Sequence, residues 1–141
     1  MRPVRELLNN QVPPAFLKPQ DSVFDALQIL ADRDVGALVV MDQGKLVGIF
    51  SERDYTRKIA LAGKSSKDTQ VKDIMTPKVL TVNALTRTRE CMALMSQKKI
   101  RHLPVLDGDK VLGMISIRDL MDEIIADQEA TINQLQTYIA T

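Results

Sequence analysis

Tryptophan is absent from this chain of 141 residues, and cysteine and histidine occur once each, as Cys91 and His102. A single cysteine closes no intrachain disulfide. One cysteine with one histidine is also too few for a Cys/His zinc cluster. Two Tyr and three Phe are a poor supply of platforms for stacking bases. Charge of one sign is lacking too. Nineteen basic and eighteen acidic side chains leave a net charge of +1, without the basic excess that a duplex binder uses to displace counterions. No apolar run reaches the ~18 residues of a membrane span, and the first residues form no apolar signal core. The expectation is a cytoplasmic protein with neither nucleic acid nor membrane as partner. No Cys/His or Ser/His/Asp arrangement is legible, so no catalytic residue is expected. What is present is ordinary globular composition, 45% apolar and 26% charged.

The chain repeats itself. Gly48-Ile49-Phe50-Ser51-Glu52-Arg53-Asp54 recurs 65 residues later as Gly113-Met114-Ile115-Ser116-Ile117-Arg118-Asp119. At that offset, residues 23–59 overlay residues 88–124 with nine identities, among them Leu38/Leu103, Val40/Val105, Lys45/Lys110 and Ile59/Ile124. About two or three would arise by chance. Upstream, Val4-Arg5-Glu6-Leu7-Leu8 matches Val71-Lys72-Asp73-Ile74-Met75 at an offset of 67. Internal repetition settles the organisation before any single motif does.

Each copy reads alike. A short lead helix ends near Asn9-Asn10 or Thr76-Pro77. An extended piece follows, Ala15–Leu17 or Val79–Val82. An amphipathic helix then starts at Asp21-Ser22, or at Leu85-Thr86. Next come an apolar strand (Ala37–Met41, Leu103–Leu106), a tight turn, and a second strand (Lys45–Phe50, Lys110–Ile115). The signature opens a closing helix. The predicted class is α/β, two β-α-β-β-α units packed together, because a unit of about 55–60 residues is marginal alone. The predicted bounds are 1–63 for the first unit, 64–70 for a polar solvated linker, 71–126 for the second unit and 127–141 for a helical extension.

Val71-Lys72-Asp73-Ile74-Met75-Thr76-Pro77, Ile100-Arg101-His102-Leu103-Pro104-Val105 and the doubled Gly-x-x-Ser-x-Arg-Asp together resemble a tandem pair of cystathionine-β-synthase (CBS) domains, in the form of a freestanding CBS-domain signalling protein. The resemblance covers nearly the whole chain. It implies a pseudo-twofold pair with two clefts that take adenosine-containing ligands such as AMP, ADP, ATP or NAD, and it implies dimerisation.

Asp54 and Asp119 fall in the first turns of their helices. The resemblance makes them ribose holders, and an ionised carboxylate accepts strongly from hydroxyls. Helix capping explains the same placement. Ser51 and Ser116 are either phosphate donors or N-caps. Arg53 and Arg118 are either phosphate clamps or solvated arginines. Arg101 and His102, beside Lys98-Lys99, form a local basic patch that matches phosphate-contacting positions of the family. The resemblance places an adenine slot at Leu17, Lys18 and Ala37 in one copy, and at Val82 and Leu103 in the other. Gly36-Ala37 stands where the second copy has Arg101-His102, so the two clefts are expected to differ in ligand preference. The glycine of the signature marks a bulge or a close approach.

The second closing helix extends from Ile117 to about Ile139 with an apolar side, long enough to reach a second subunit. The expected function is a regulatory sensor, a homodimer that binds an adenosine-containing ligand and passes its occupancy to an unidentified partner protein. It is not expected to be an enzyme. A ligand-independent interaction or scaffold module is the alternative.

Overall fold

The computed structural model describes residues 2–8 and 14–140. The expected lead-helix end at Asn9-Asn10 lies outside the described residues. The chain divides into two compact units. One is formed by residues 14–80, the other by residues 2–8 together with 81–140. The lead segment of each repeat therefore lies in the unit built on the other repeat's strands.

The first unit holds strand β1 (Phe16–Leu17), helix α1 (Val23–Arg33), strands β2 (Ala37–Asp42) and β3 (Lys45–Ser51), helix α2 (Glu52–Tyr55) and helix α3 (Val71–Ile74). β1 runs parallel to β2, and β2 pairs antiparallel with β3, in the order β1-β2-β3. One sheet face carries Leu38, Val40 and Phe50. These close a core with Leu17, with Val23, Ala26 and Leu30 of α1, and with Ile59, Val71 and Ile74. Ala37, Val39, Ile49 and Ser51 alternate onto the opposite face. After Tyr55 the helix widens to a π turn over Thr56–Ala60.

The other unit repeats this plan with strand β4 (Val82–Asn83), helix α4 (Thr88–Lys98), strands β5 (His102–Asp107) and β6 (Lys110–Ser116), and helix α5 (Ile117–Ala140). Its sheet order is β4-β5-β6. Leu103, Val105 and Ile115 face Cys91, Met95 and Leu120, with Val4 of the lead segment closing the cluster. Val4–Leu8 forms a 3-10 turn, tied down by Val4 N–H donating to the Thr86 carbonyl at 2.7 Å and Arg5 N–H to the Ala84 carbonyl at 3.1 Å.

One expectation needs correcting. The helix expected to open at Leu85-Thr86 starts at Thr88 with Arg87 as its N-cap. Residues 83–86 are consumed by an Asx turn, in which Asn83 Oδ1 accepts from Leu85 N–H at 2.9 Å and Thr86 Oγ1 from Asn83 N–H at 3.1 Å. The polar run 64–70 is largely exposed, and its backbone also serves α1. The carbonyls of Thr69 and Ser66 accept from Val23 and Phe24 N–H, both at 2.9 Å, and so satisfy donors that the start of α1 leaves open. Ser22 supplies the side-chain cap, accepting from Asp25 N–H at 3.0 Å.

Candidate functional site

Both signatures lie where a strand passes into a helix, and both build the same cap. In the first, Ser51 Oγ accepts from Asp54 N–H at 3.2 Å while Asp54 Oδ2 accepts from Ser51 N–H at 3.0 Å, a reciprocal capping box. In the second, Ser116 Oγ accepts from Asp119 N–H at 3.2 Å and Asp119 Oδ2 from Ser116 N–H at 2.8 Å. The capping role of both serines and both aspartates is thus realised. It engages one oxygen of each carboxylate and leaves the other for a further partner.

That second oxygen separates the copies. Asp54 Oδ1 lies 3.1 Å from Lys58 Nζ and 3.3 Å from Thr76 Oγ1. Lys58 Nζ also donates to the Ile74 carbonyl at 2.8 Å, which ties α2 to the segment after α3. Asp54 is buried, with its acceptors filled from its own unit. The position matching Lys58 is Glu123. Glu123 turns instead to Arg2, whose guanidinium donates to its two oxygens at 2.8 and 2.9 Å. Among the described residues, Asp119 Oδ1 makes no hydrogen bond or ion pair. Lys58 was readable in advance, since a lysine four residues after an aspartate lies beside it on a helix.

His102 sits opposite Ser116 in the β5–β6 ladder, on the sheet face away from the core. Burial holds its imidazole below the ordinary 6.5; the Asp119 carboxylate opposes that shift and Arg101 adds to it. Ser116, Asp119 and His102 therefore gather at one end of this sheet. Ser116 and Asp119 make the cap there. Among the described residues Asp119 bonds Ser116, not the histidine, and the hydroxyl receives a backbone donor. Arg101 is exposed, and its carbonyl accepts from Ile117 N–H at 2.8 Å. In the first unit Ala37 faces Ser51 at the matching register, with no cationic counterpart. Arg53 and Arg118 are exposed on their first turns.

The residues assigned to the adenine slots are of two kinds. Leu17, Val82 and Leu103 point into the cores, so only their backbones can face a ligand. Ala37 is buried on the opposite sheet face, and Lys18 is exposed with its N–H on Asp21 Oδ2 at 2.8 Å. The glycine of each signature serves the lead segment within its own unit. A Cβ on Gly48 would come within 2.6 Å of Met75 Sδ and 3.0 Å of the Thr76 carbonyl oxygen. Thr76 bridges to Ile49 there, with N–H···O distances of 2.8 and 3.0 Å. Gly113 faces Leu8, whose Cδ2 would be 3.2 Å from such a Cβ.

Comparison with known proteins agrees with this architecture. The CBS domain family model matches residues 4–61 and 71–126. The CBS domain-containing protein CBSX3, mitochondrial, of Arabidopsis thaliana is 41% identical over 124 residues, covering 84% of this chain and 60% of its own length. A protein of Thermofilum pendens is 30% identical over 112 residues, and there the chain spans 36% of the relative's length. Among solved structures, a CBS-domain protein of Burkholderia ambifaria has a TM-score of 0.84 at 45% identity, covering 89% of this chain and 96% of that one. The CBS domain pair of protein MJ0100, in complex with 5-methylthioadenosine and S-adenosyl-L-methionine, has a TM-score of 0.78 at 26% identity, covering 89% and 97%. Among the described residues no helix is long and apolar enough to cross a membrane. The two signatures, the two three-stranded sheets and the family match over both repeats make this chain a member of the CBS domain family, as a tandem CBS pair.

Proposed function

We propose that the chain is a regulatory sensor, not an enzyme, that takes an adenosine-containing ligand at the Asp119 signature. The observation that carries this reading is the contrast between the two aspartates. Asp119 is oriented by Ser116 through one oxygen, and among the described residues its other oxygen makes no hydrogen bond or ion pair, although its charge is felt by His102. Asp54 is bound by Lys58 and Thr76. A carboxylate held in this way accepts from the vicinal hydroxyls of a ribose at no cost in reorganisation. Arg101, His102, Ser116 and Arg118 then supply donors for phosphate oxygens, and the backbones of Val82 and Leu103 line the ring. AMP, ADP, ATP and NAD share this chemistry. The adenosine compounds bound to the related pair of MJ0100 support the class. A ligand at Asp54 contacts Ser51, Arg53, Lys18, Ala37 and the backbone of Leu17, and has first to displace Lys58. Occupancy reaches a partner protein only through the difference in affinity between two arrangements of the pair. The pair acts as a homodimer.

Isothermal titration with AMP, ATP, NAD and S-adenosylmethionine tests this reading. Asp119→Ala should weaken the ribose-containing ligand by roughly 1.5–3 kcal/mol, the worth of a charged hydrogen bond. Asp54→Ala should change that affinity far less. If no ligand binds the intact chain at millimolar concentration, the scaffold reading replaces this one.

A further inference from the structure

Helix α5 runs for 24 residues, about 36 Å at ~1.5 Å per residue. Its first two turns pack on its own unit, through Ile117, the buried Leu120 and the half-buried Ile124, with Glu123 paired to Arg2. Away from these contacts, Met121, Ile125, Ile132, Leu135 and Ile139 are 50–81% exposed. Their spacing is orderly. With Gln128 they fall at steps of four, three, four, three and four residues, the alternation of a coiled-coil seam over nearly three heptads. Ile125, Ile132 and Ile139 take one seam position; Met121, Gln128 and Leu135 take the other.

We propose that this seam pairs with α5 of a second copy of the chain, parallel and in register. The proposal deepens the homodimer reading above by naming the element and its direction. Three features select this occupant. Gln128 is the one polar residue in the seam. In a parallel in-register pair it meets Gln128 of the second copy, and two amides satisfy each other. In an antiparallel pair centred on the seam it meets Ile132 and is buried without a partner. The flanking positions agree. Asp122, Glu129 and Gln136 lie on one flank, and Ile124, Thr131 and Tyr138 on the other. Parallel pairing sets the acidic flank against the neutral one, whereas antiparallel pairing sets Glu129 against Glu129. β-Branched Ile at the first seam position also suits a two-stranded assembly. A basic partner helix is the other conceivable occupant, since residues 121–140 contain no Lys or Arg, but it leaves Gln128 without its match.

Sedimentation of the full chain at micromolar concentration should give twice 15.8 kDa. Ile132→Asp with Leu135→Asp should return it to a single chain whose thermal unfolding stays cooperative, since both side chains are exposed and lie outside the two cores. In addition, Gln128→Cys should form a covalent dimer on mild oxidation; Cys91 is fully buried and does not compete. A monomeric full chain overturns both the homodimer and the seam. A dimer that survives the double substitution keeps the homodimer and overturns the seam. A dimer lost on double substitution, but in which Gln128→Cys never cross-links, overturns the parallel register.

Discussion

Thr88 carries a hydroxyl where its counterpart in the first repeat, Val23, carries a methyl. It is 1% exposed, and among the described residues its Oγ1 has no hydrogen-bond partner. A buried hydroxyl without a partner costs about 1–3 kcal/mol. Thr88→Val should therefore stabilise the fold by roughly 1 kcal/mol, read as a higher urea midpoint with an unchanged slope; a lower midpoint would refute the account. His102 gives the second prediction at this scale. Burial, then Arg101, lowers its pKa below 6.5, against the pull of Asp119. Below that value the unfolded chain takes up a proton that the folded chain refuses. The stability present above pH 6.5 is thus lost as pH falls from there through the folded pKa. His102→Gln should flatten this part of the stability profile between pH 7 and 5.5, and an equally steep profile would assign the acid sensitivity elsewhere. Cys91, by contrast, is pushed up to about 11, first by burial and then by Glu90, so it stays a thiol that packs.

The elements show which parts of the sequence carried structural information. The strands fall at the 65-residue offset, β2 at 37–42 against β5 at 102–107 and β3 at 45–51 against β6 at 110–116, because their apolar runs and turn residues are local signals. The start of α4 was misread because Asn83 and Thr86 cap a turn of their own rather than the helix. The π turn after α2 leaves no trace in periodicity. The proposed ligand-facing roles were legible only as residue types; Lys58 could be placed beside Asp54 by its spacing of four, whereas Thr76 reaches Asp54 only because of where the segment after α3 lands. The same segment sets a prediction. Gly48 abuts the Thr76 backbone and Gly113 abuts a flexible Leu8 side chain. Gly48→Ala should cost about 1–3 kcal/mol by overpacking, and Gly113→Ala clearly less. Equal losses in thermal unfolding would contradict this difference.

At the scale of the molecule, the two compact units do not follow the two repeats. Residues 2–8 belong with 81–140, and residues 71–80 with the strands of the first repeat. The sequence could not show this, since a lead helix of the same pattern satisfies either core. Fragments 1–66 and 67–141 should each fail to unfold cooperatively, one lacking Val71 and Ile74, the other lacking Val4, all buried core residues. Mixing them one to one should restore a cooperative transition. Fragments that each melt like the whole chain would show that the lead segments contribute little. The interleaving has a further consequence in the language of assembly. Two separate half-length chains built this way would be a domain-swapped dimer, each lending its first turn to the other, and their folding would depend on protein concentration. Here residues 64–70 tether the two halves, so the exchange proceeds at an effective concentration set by a short connection rather than by expression level.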